Sequence, residues 1–316
     1  MRSQINTENF ENIKSISLFV FAIGFEERSR FIFSKLEGKK LLSNQNTLCF
    51  YFNENRNDTS ILNFEKVTEF GITPIDVWKS EIDKIIGIIN AKVLELIENS
   101  ENIEIHVDYS SMPRNWYSNI LLDIEKMIRN LDNVFFWYSH GDYTADTKHC
   151  TTAGADDFVV FSGMASLHPQ NRTHIFGIGY DKIKSDAIRT VVDPSTLIVC
   201  YTYPKNELSI NQIIQKEHEM LLNASAYSFS LPIEDFSFIV KRIREVVLEF
   251  RERGDVILIP EGPKPLILAC SIIPELITKR GIVCFHVKSH NNHFVPENIK
   301  PNGIISGFCI KPTSNE

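Results

Sequence analysis

Two short stretches of this sequence gather the residue types that hold anions. The first is Asp108-Tyr109-Ser110-Ser111-Met112-Pro113-Arg114, which follows an apolar run and precedes a helical one. Asp and Ser are good N-caps and Pro is at home in a first helical turn, so Ser110-Ser111 is expected to open a helix over 115–130. Free backbone N–H groups, the hydroxyls of Ser110 and Ser111 and the guanidinium of Arg114 then converge, which suits a phosphate or carboxylate. The second stretch is Pro260-Glu261-Gly262-Pro263-Lys264-Pro265. Gly262 permits close backbone approach, the prolines stiffen the turn, and Lys264 brings a positive charge to a helix start. Each stretch thus offers an acid (Asp108, Glu261), a small residue and a base (Arg114, Lys264) in the same order.

Three further places carry candidate chemistry. Gly24-Phe25-Glu26-Glu27-Arg28-Ser29 ends the first apolar run, and Gly177 and Gly179 end its counterpart in the second half. Neither is the GxGxxG dinucleotide fingerprint, so no such cofactor is expected. Glu26 and Arg28 could still contact a base or ribose, with Gly24 and Gly179 making the turns. His140 and His290 stand at matched places, each after a serine at the end of a fifth strand, and are expected to line the same ligand. An enzyme is the competing reading, a hydrolase or glycosyl-transferring protein acting on a nucleotide. It would use Asp108 or Glu261 as the acid–base or nucleophilic carboxylate, with His140 or His290 assisting. His149-Cys150, with Asp142, Tyr143 and Asp146 nearby, contains the elements of a nucleophile pair, but sequence neighbours rarely point at each other.

The elements that must position these loops repeat. Apolar β-rich runs occur at 16–21, 47–52, 72–78, 103–107 and 134–138, and again at 173–179, 196–201, 226–231, 256–259 and 282–287. Helical patterns separate them; Ile82, Ile85, Ile86, Ile89, Val93 and Ile97 form one stripe, and Ile239, Ile243, Val246, Val247 and Phe250 another. A sixth apolar run lies in each tail, at 158–161 and 303–310. The same order recurs at an offset of about 150 residues, the mark of an internal duplication. Continuous apolar strands alternating with helices predict parallel sheets covered on both faces. The fold class is therefore α/β, with two tandem Rossmann-like domains, 1–165 and 166–316, joined through a long connector at 141–172. Ligands of such sheets sit beyond the carboxyl ends of the strands, where both loops fall.

The 316 residues suffice for two cores, and 43% hydrophobic with 23% charged residues is the balance of a globular protein. No apolar run reaches the roughly 18 residues that cross a bilayer, and Met1 to Phe10 is no secretory signal, so no membrane partner and a cytoplasmic location are expected. A net charge of -7 argues against wrapping a long nucleic acid but allows a small anion in a local pocket. Cys49, Cys200, Cys284 and Cys309 lie in strand-like runs and Cys270 in a helical one, where they read as small buried hydrophobes in a reducing compartment. No zinc-type spacing occurs, so no metal is expected.

At the fourth-strand loops the chain resembles the CRISPR-associated Rossmann-fold (CARF) and SAVED families of nucleotide sensors. Their motif at this junction is acid-x-Ser/Thr-x-x-x-Arg/Lys. Asp108, Ser110 and Arg114 fit it position by position; in the second half only Lys264 with the preceding glycine turn fits, since Glu261 shifts the spacing and no hydroxyl is in place. SAVED domains resemble two fused CARF-like units, in keeping with the internal repeat. The resemblance implies a sensor of cyclic or linear oligonucleotide signals in antiviral defence, with the phosphorylated ligand held between the two duplicated halves. The Asp108 and Glu261 loops are then expected to share one cleft, as they would if the parent were a symmetric dimer. Such sensors carry an effector domain, so the resemblance also implies either that the effector is a separate subunit or that this chain is itself the enzyme.

Overall fold

The computed structural model describes residues 3–52, 54, 56–99, 102–127, 133–142, 153–167, 171–179, 181–205, 208–277, 280–290 and 298–312. The expected Cys–His neighbours at 149–150, with Tyr143 and Asp146, lie outside them.

The chain divides into two compact units, one made of 2–144 with 296–316 and the other of 145–295. In the first, strands β1 (Ser3–Glu8), β2 (Leu18–Ile23), β3 (Thr47–Phe52), β4 (Ile75–Val77), β5 (Glu104–Asp108) and β6 (Asn133–Gly141) alternate with helices α1 (Phe31–Gly38), α2 (Asp58–Glu69), α3 (Ile82–Asn99) and α4 (Arg114–Met127). In the second, β7 (Ala153–Met164) is followed by β8 (Arg172–Ile178), α5 (Lys182–Val191), β9 (Thr196–Tyr203), α6 (Leu208–Glu217), α7 (Glu219–Ala224), β10 (Tyr227–Pro232), α8 (Phe236–Arg251), β11 (Asp255–Pro260), α9 (Lys264–Ile277) and β12 (Ile282–His290). The chain then returns to the first unit as β13 (Pro301–Pro312).

The seven-stranded sheet runs β1-β13-β6-β5-β2-β3-β4, and the six-stranded sheet β10-β9-β8-β11-β12-β7. In both, five strands are parallel, β2–β6 in the first and β8–β12 in the second, and numbered within that set they take the Rossmann order 3-2-1-4-5. An antiparallel strand is added beside the fifth in each: β13 on β6, with β1 beyond it, and β7 on β12. The fold is α/β, with two Rossmann-like sheets of one topology.

The sheets nevertheless divide the chain differently from a cut at 165/166. The tail run of the first half, β7, completes the second sheet, and the tail of the second half, β13, completes the first. Apolar alternation identifies a strand but not the edge it joins. β13 also gives the N-terminal strand β1 its partner, from Ser3 opposite Pro312 to Glu8 opposite Gly307.

Sequence explains these elements locally. β2 reads Leu-Phe-Val-Phe-Ala-Ile and is buried at every position, as a strand covered on both faces must be. α3 buries Ile85, Ile89 and Val93, one helical stripe. α9 is buried along almost its whole length and packs on α8, β7 and β12. In β13, Gly307 lies opposite Trp137, and a Cβ there would stand 2.2 Å from the indole. Five cysteines, Cys49, Cys200, Cys270, Cys284 and Cys309, are buried free thiols. Among the described residues no group of His, Cys, Asp or Glu could hold a metal, and no helix is long and apolar enough to cross a membrane.

Candidate functional site

At the carboxyl edge of the first sheet, β2 ends in Gly24 and the chain makes a 3-10 turn over Glu27–Arg30. Two asparagines hold this loop. Asn298 Oδ1 accepts the Glu27 N–H at 2.8 Å. The Asn63 amide, fully buried on α2, donates to the carbonyls of Gly24 and Glu26 and to Ser29 Oγ, each at 3.0 Å, and its Oδ1 accepts from Arg30 Nε at 2.9 Å. Gly24 is required because a Cβ would lie 2.6 Å from the Phe52 ring.

The loop delivers Arg28 inward. Its side chain is 3% exposed; Nε lies 2.6 Å from Glu26 Oε2, Nη2 donates to Glu26 Oε1 at 3.3 Å, and Nη1 reaches Tyr138 Oη at 3.1 Å and the Ser139 carbonyl at 3.4 Å. Ser111 Oγ donates to the same Glu26 Oε2 at 3.2 Å. Glu26, Arg28 and Ser111 are thus brought together around the end of β6.

Asp108 and Ser110 are placed differently from expectation. Ser110 does not open the helix; α4 starts at Arg114, and the Pro113 carbonyl accepts its first backbone bond, from Trp116. Ser110 is fully buried, donates to Asp108 Oδ1 and accepts from the Ser139 N–H at 2.7 Å, clasping the ends of β5 and β6. The Asp108 carboxylate turns back on its own loop, taking the Ser110 N–H at 2.9 Å. The motif residues here build the rim, while Ser111 and Arg114 stand half-exposed on it.

His140 lies within β6, its Nε2 2.8 Å from Ser306 Oγ on β13 and its ring edge-on to Tyr138. Burial, with the Arg28 charge nearby, depresses its pKa to about 4, so it is neutral at physiological pH. His290 ends β12, and its side chain lies outside the described residues.

The second unit repeats the plan with other residues. α5 is capped by Asp181, whose side chain accepts the Lys184 N–H at 2.9 Å. Lys184, buried in that first turn, makes a 2.5 Å ion pair with Glu261 and donates to the Val287 carbonyl of β12 at 3.2 Å. In both units, then, a buried cation from the loop or helix after the first strand crosses to a carbonyl of the fifth and is neutralised by a nearby glutamate. Gly179 and Gly262 serve loop packing: a Cβ on the first would meet the Glu261 carbonyl at 2.7 Å, and on the second Leu266 at 2.7 Å. His218 of the α6–α7 corner fixes the same turn, its Nε2 2.8 Å from the Gly179 carbonyl. Lys264 begins α9 and is half-exposed.

Sequence reasoning missed Asn63 and Lys184. Both sit on the buried face of their helix, Asn63 between Ser60 and Val67 and Lys184 four residues before Ile188, and a large polar side chain at helical spacing from an apolar one is the signal that marks them.

No protein-family model matches this sequence, and no curated protein matches it. Among solved structures the fold is similar to one described as a Type III CRISPR defence DNA nuclease activated by cyclic oligoadenylate, with a TM-score of 0.54 at 8% identity over 86% of this chain. The chain spans 65% of that nuclease's length. A universal stress protein from Pseudomonas aeruginosa aligns over 89% of this chain and 95% of its own with a TM-score of 0.23 at 10% identity, too low to count as the same fold.

Proposed function

We propose that this chain is a nucleotide-signal sensor that binds a phosphorylated nucleotide at the carboxyl ends of its parallel strands, with cyclic oligoadenylate as the first candidate. The observation that carries this reading is the twice-used Rossmann row with a cation-bearing rim at the same place. In such sheets that rim is where nucleotides bind, because loop N–H groups and helix starts face outward there. The fold shared with a nuclease that cyclic oligoadenylate activates supports it further. Arg114 and Lys264, half-exposed at the starts of α4 and α9, are the anion contacts; Glu26, Arg28 and Ser111 order the first rim, and Lys184 with Glu261 the second. The sensor acts in antiviral defence by controlling an effector.

Calorimetric titration with cyclic oligoadenylates of several ring sizes tests this, alongside mass spectrometry of small molecules that co-purify with the protein. Saturable binding is expected. Arg114→Ala and Lys264→Ala should each weaken it by roughly 1.5–3 kcal/mol, the worth of a charge-assisted contact, with melting temperature nearly unchanged. Unaltered affinity in both variants sinks the assignment of those contacts.

A further inference from the structure

The first unit holds a feature that the anion-binding loops do not include. Of the three tryptophans, Trp116 and Trp137 are buried at 0% and 1% exposure, whereas Trp78 is 53% exposed. It follows β4 directly, at the same carboxyl edge as the ends of β3 and β5.

The short turn at Trp78 and Lys79 is firmly held. The Trp78 N–H donates to Glu81 Oε2 and the Lys79 N–H to Glu54 Oε1, both at 2.7 Å. The Lys79 carbonyl accepts from Trp116 Nε1 at 3.0 Å and from Asn115 Nδ2 at 3.2 Å. These last two bonds tie the turn to the first turn of α4 and bring Lys79 beside Arg114. Glu81 is paired with Lys84, and Lys79 and Arg114 bring two cations to this turn with the Glu54 carboxylate beside them. Burial and then the Arg114 charge lower the Lys79 pKa, with Glu54 opposing, as expected of two cations held close. In a chain of net charge -7, two cations beside an open indole are a chemically specific pairing. An aromatic face takes a base, and paired cations take a phosphate.

We infer that Trp78, Lys79 and Arg114 form a nucleotide subsite of the first unit, in which the indole stacks on a base and the two cations hold the adjoining phosphate. The inference deepens the sensor reading and rests on it. It adds a base-reading surface to an anion site and assigns that surface to a rigid turn.

The buried positions of Trp116 and Trp137 make the test direct, because acrylamide-quenchable tryptophan emission belongs to Trp78. The full chain is titrated with the cyclic oligoadenylate used above, and with ATP and inorganic phosphate as comparators. Binding should perturb the Trp78 emission saturably and protect it from acrylamide, whereas inorganic phosphate leaves it quenchable. Trp78→Ala should weaken the adenine ligands by about fivefold to a hundredfold, the range of one base stack, while Trp78→Phe retains most of the affinity. Lys79→Ala should cost about tenfold or more and flatten the salt dependence of binding. Thermal unfolding of each variant checks that these exposed changes leave the fold intact. If calorimetry shows binding while Trp78 stays fully quenchable and Trp78→Ala and Lys79→Ala bind like the parent, the subsite is wrong and the sensor reading stands. If the parent chain binds none of the adenine ligands, both fall.

Discussion

Lys184 and Glu261 illustrate how differently a buried charge behaves with and without its partner. Their side chains are 7% and 2% exposed, so each is desolvated and each depends on the other. Removing only the lysine strands a carboxylate in a low-dielectric interior, and Lys184→Met should lower unfolding free energy by about 3–5 kcal/mol. Replacing both, as Lys184→Met with Glu261→Met, removes the two desolvation penalties together and should restore stability to within about 1 kcal/mol of the parent. Urea titrations of the three proteins measure this, and a double variant as weak as the single one contradicts it. Buried histidines give a second handle. Burial holds His106 at about 3 and His140 at about 4, below the ordinary 6.5. Between those values and 6.5 the unfolded chain binds protons that the folded one refuses, so stability falls as pH drops through that window and levels off below it. His140→Gln keeps a hydrogen-bonding group opposite Ser306 and should flatten part of this slope; an unchanged pH profile of melting temperature excludes His140 as a source.

The rim loops owe their shape to residues in neighbouring helices and strands, and this is where the sequence was least legible. Strand and helix positions followed from apolar runs and helical stripes: β3 was readable at Thr47–Phe52 and α8 from Phe236 onward, because continuous β-formers and a recurring apolar stripe are local properties. Which side chain secures a loop is a long-range property. Asn63 lies some distance along the chain from the Gly24 and Glu26 carbonyls it satisfies, and no spacing rule connects them. Likewise the acid-x-Ser motif was visible, but not that Ser110 would clasp β6 instead of capping α4. Asn63→Ala withdraws donors from two carbonyls on the Arg28 loop and should cost about 2–6 kcal/mol, at roughly 1–3 kcal/mol for each group left unsatisfied. Faster amide exchange at 24–30, with the strands of the second sheet unaffected, is the accompanying signature.

The reciprocal placement of the tail strands gives the two units unequal independence. The second unit, 145–295, is continuous in sequence and contains every strand of its sheet, including the antiparallel β7. The first is not: β13 reaches it only after the whole second unit has been made, and it stands between β1 and β6. Without β13, β1 has no neighbour, and β6 becomes an open edge whose buried Val134, Phe136 and Trp137 lose the cover of Phe308 and Ile310. Such an edge is both destabilised and prone to pair with other chains. A fragment of residues 145–295 should therefore unfold in one cooperative transition, with native-like far-UV circular dichroism. A fragment of residues 1–144 should fail to do so, and should recover when the segment 296–316 is fused to it through a flexible linker. The fused fragment separates two causes of failure, because it restores β13 without the second unit. Cooperative folding of 1–144 alone would mean that β13 is an ornament on a complete sheet. If the fused fragment stays unfolded, the first unit requires the second for more than the strand it returns.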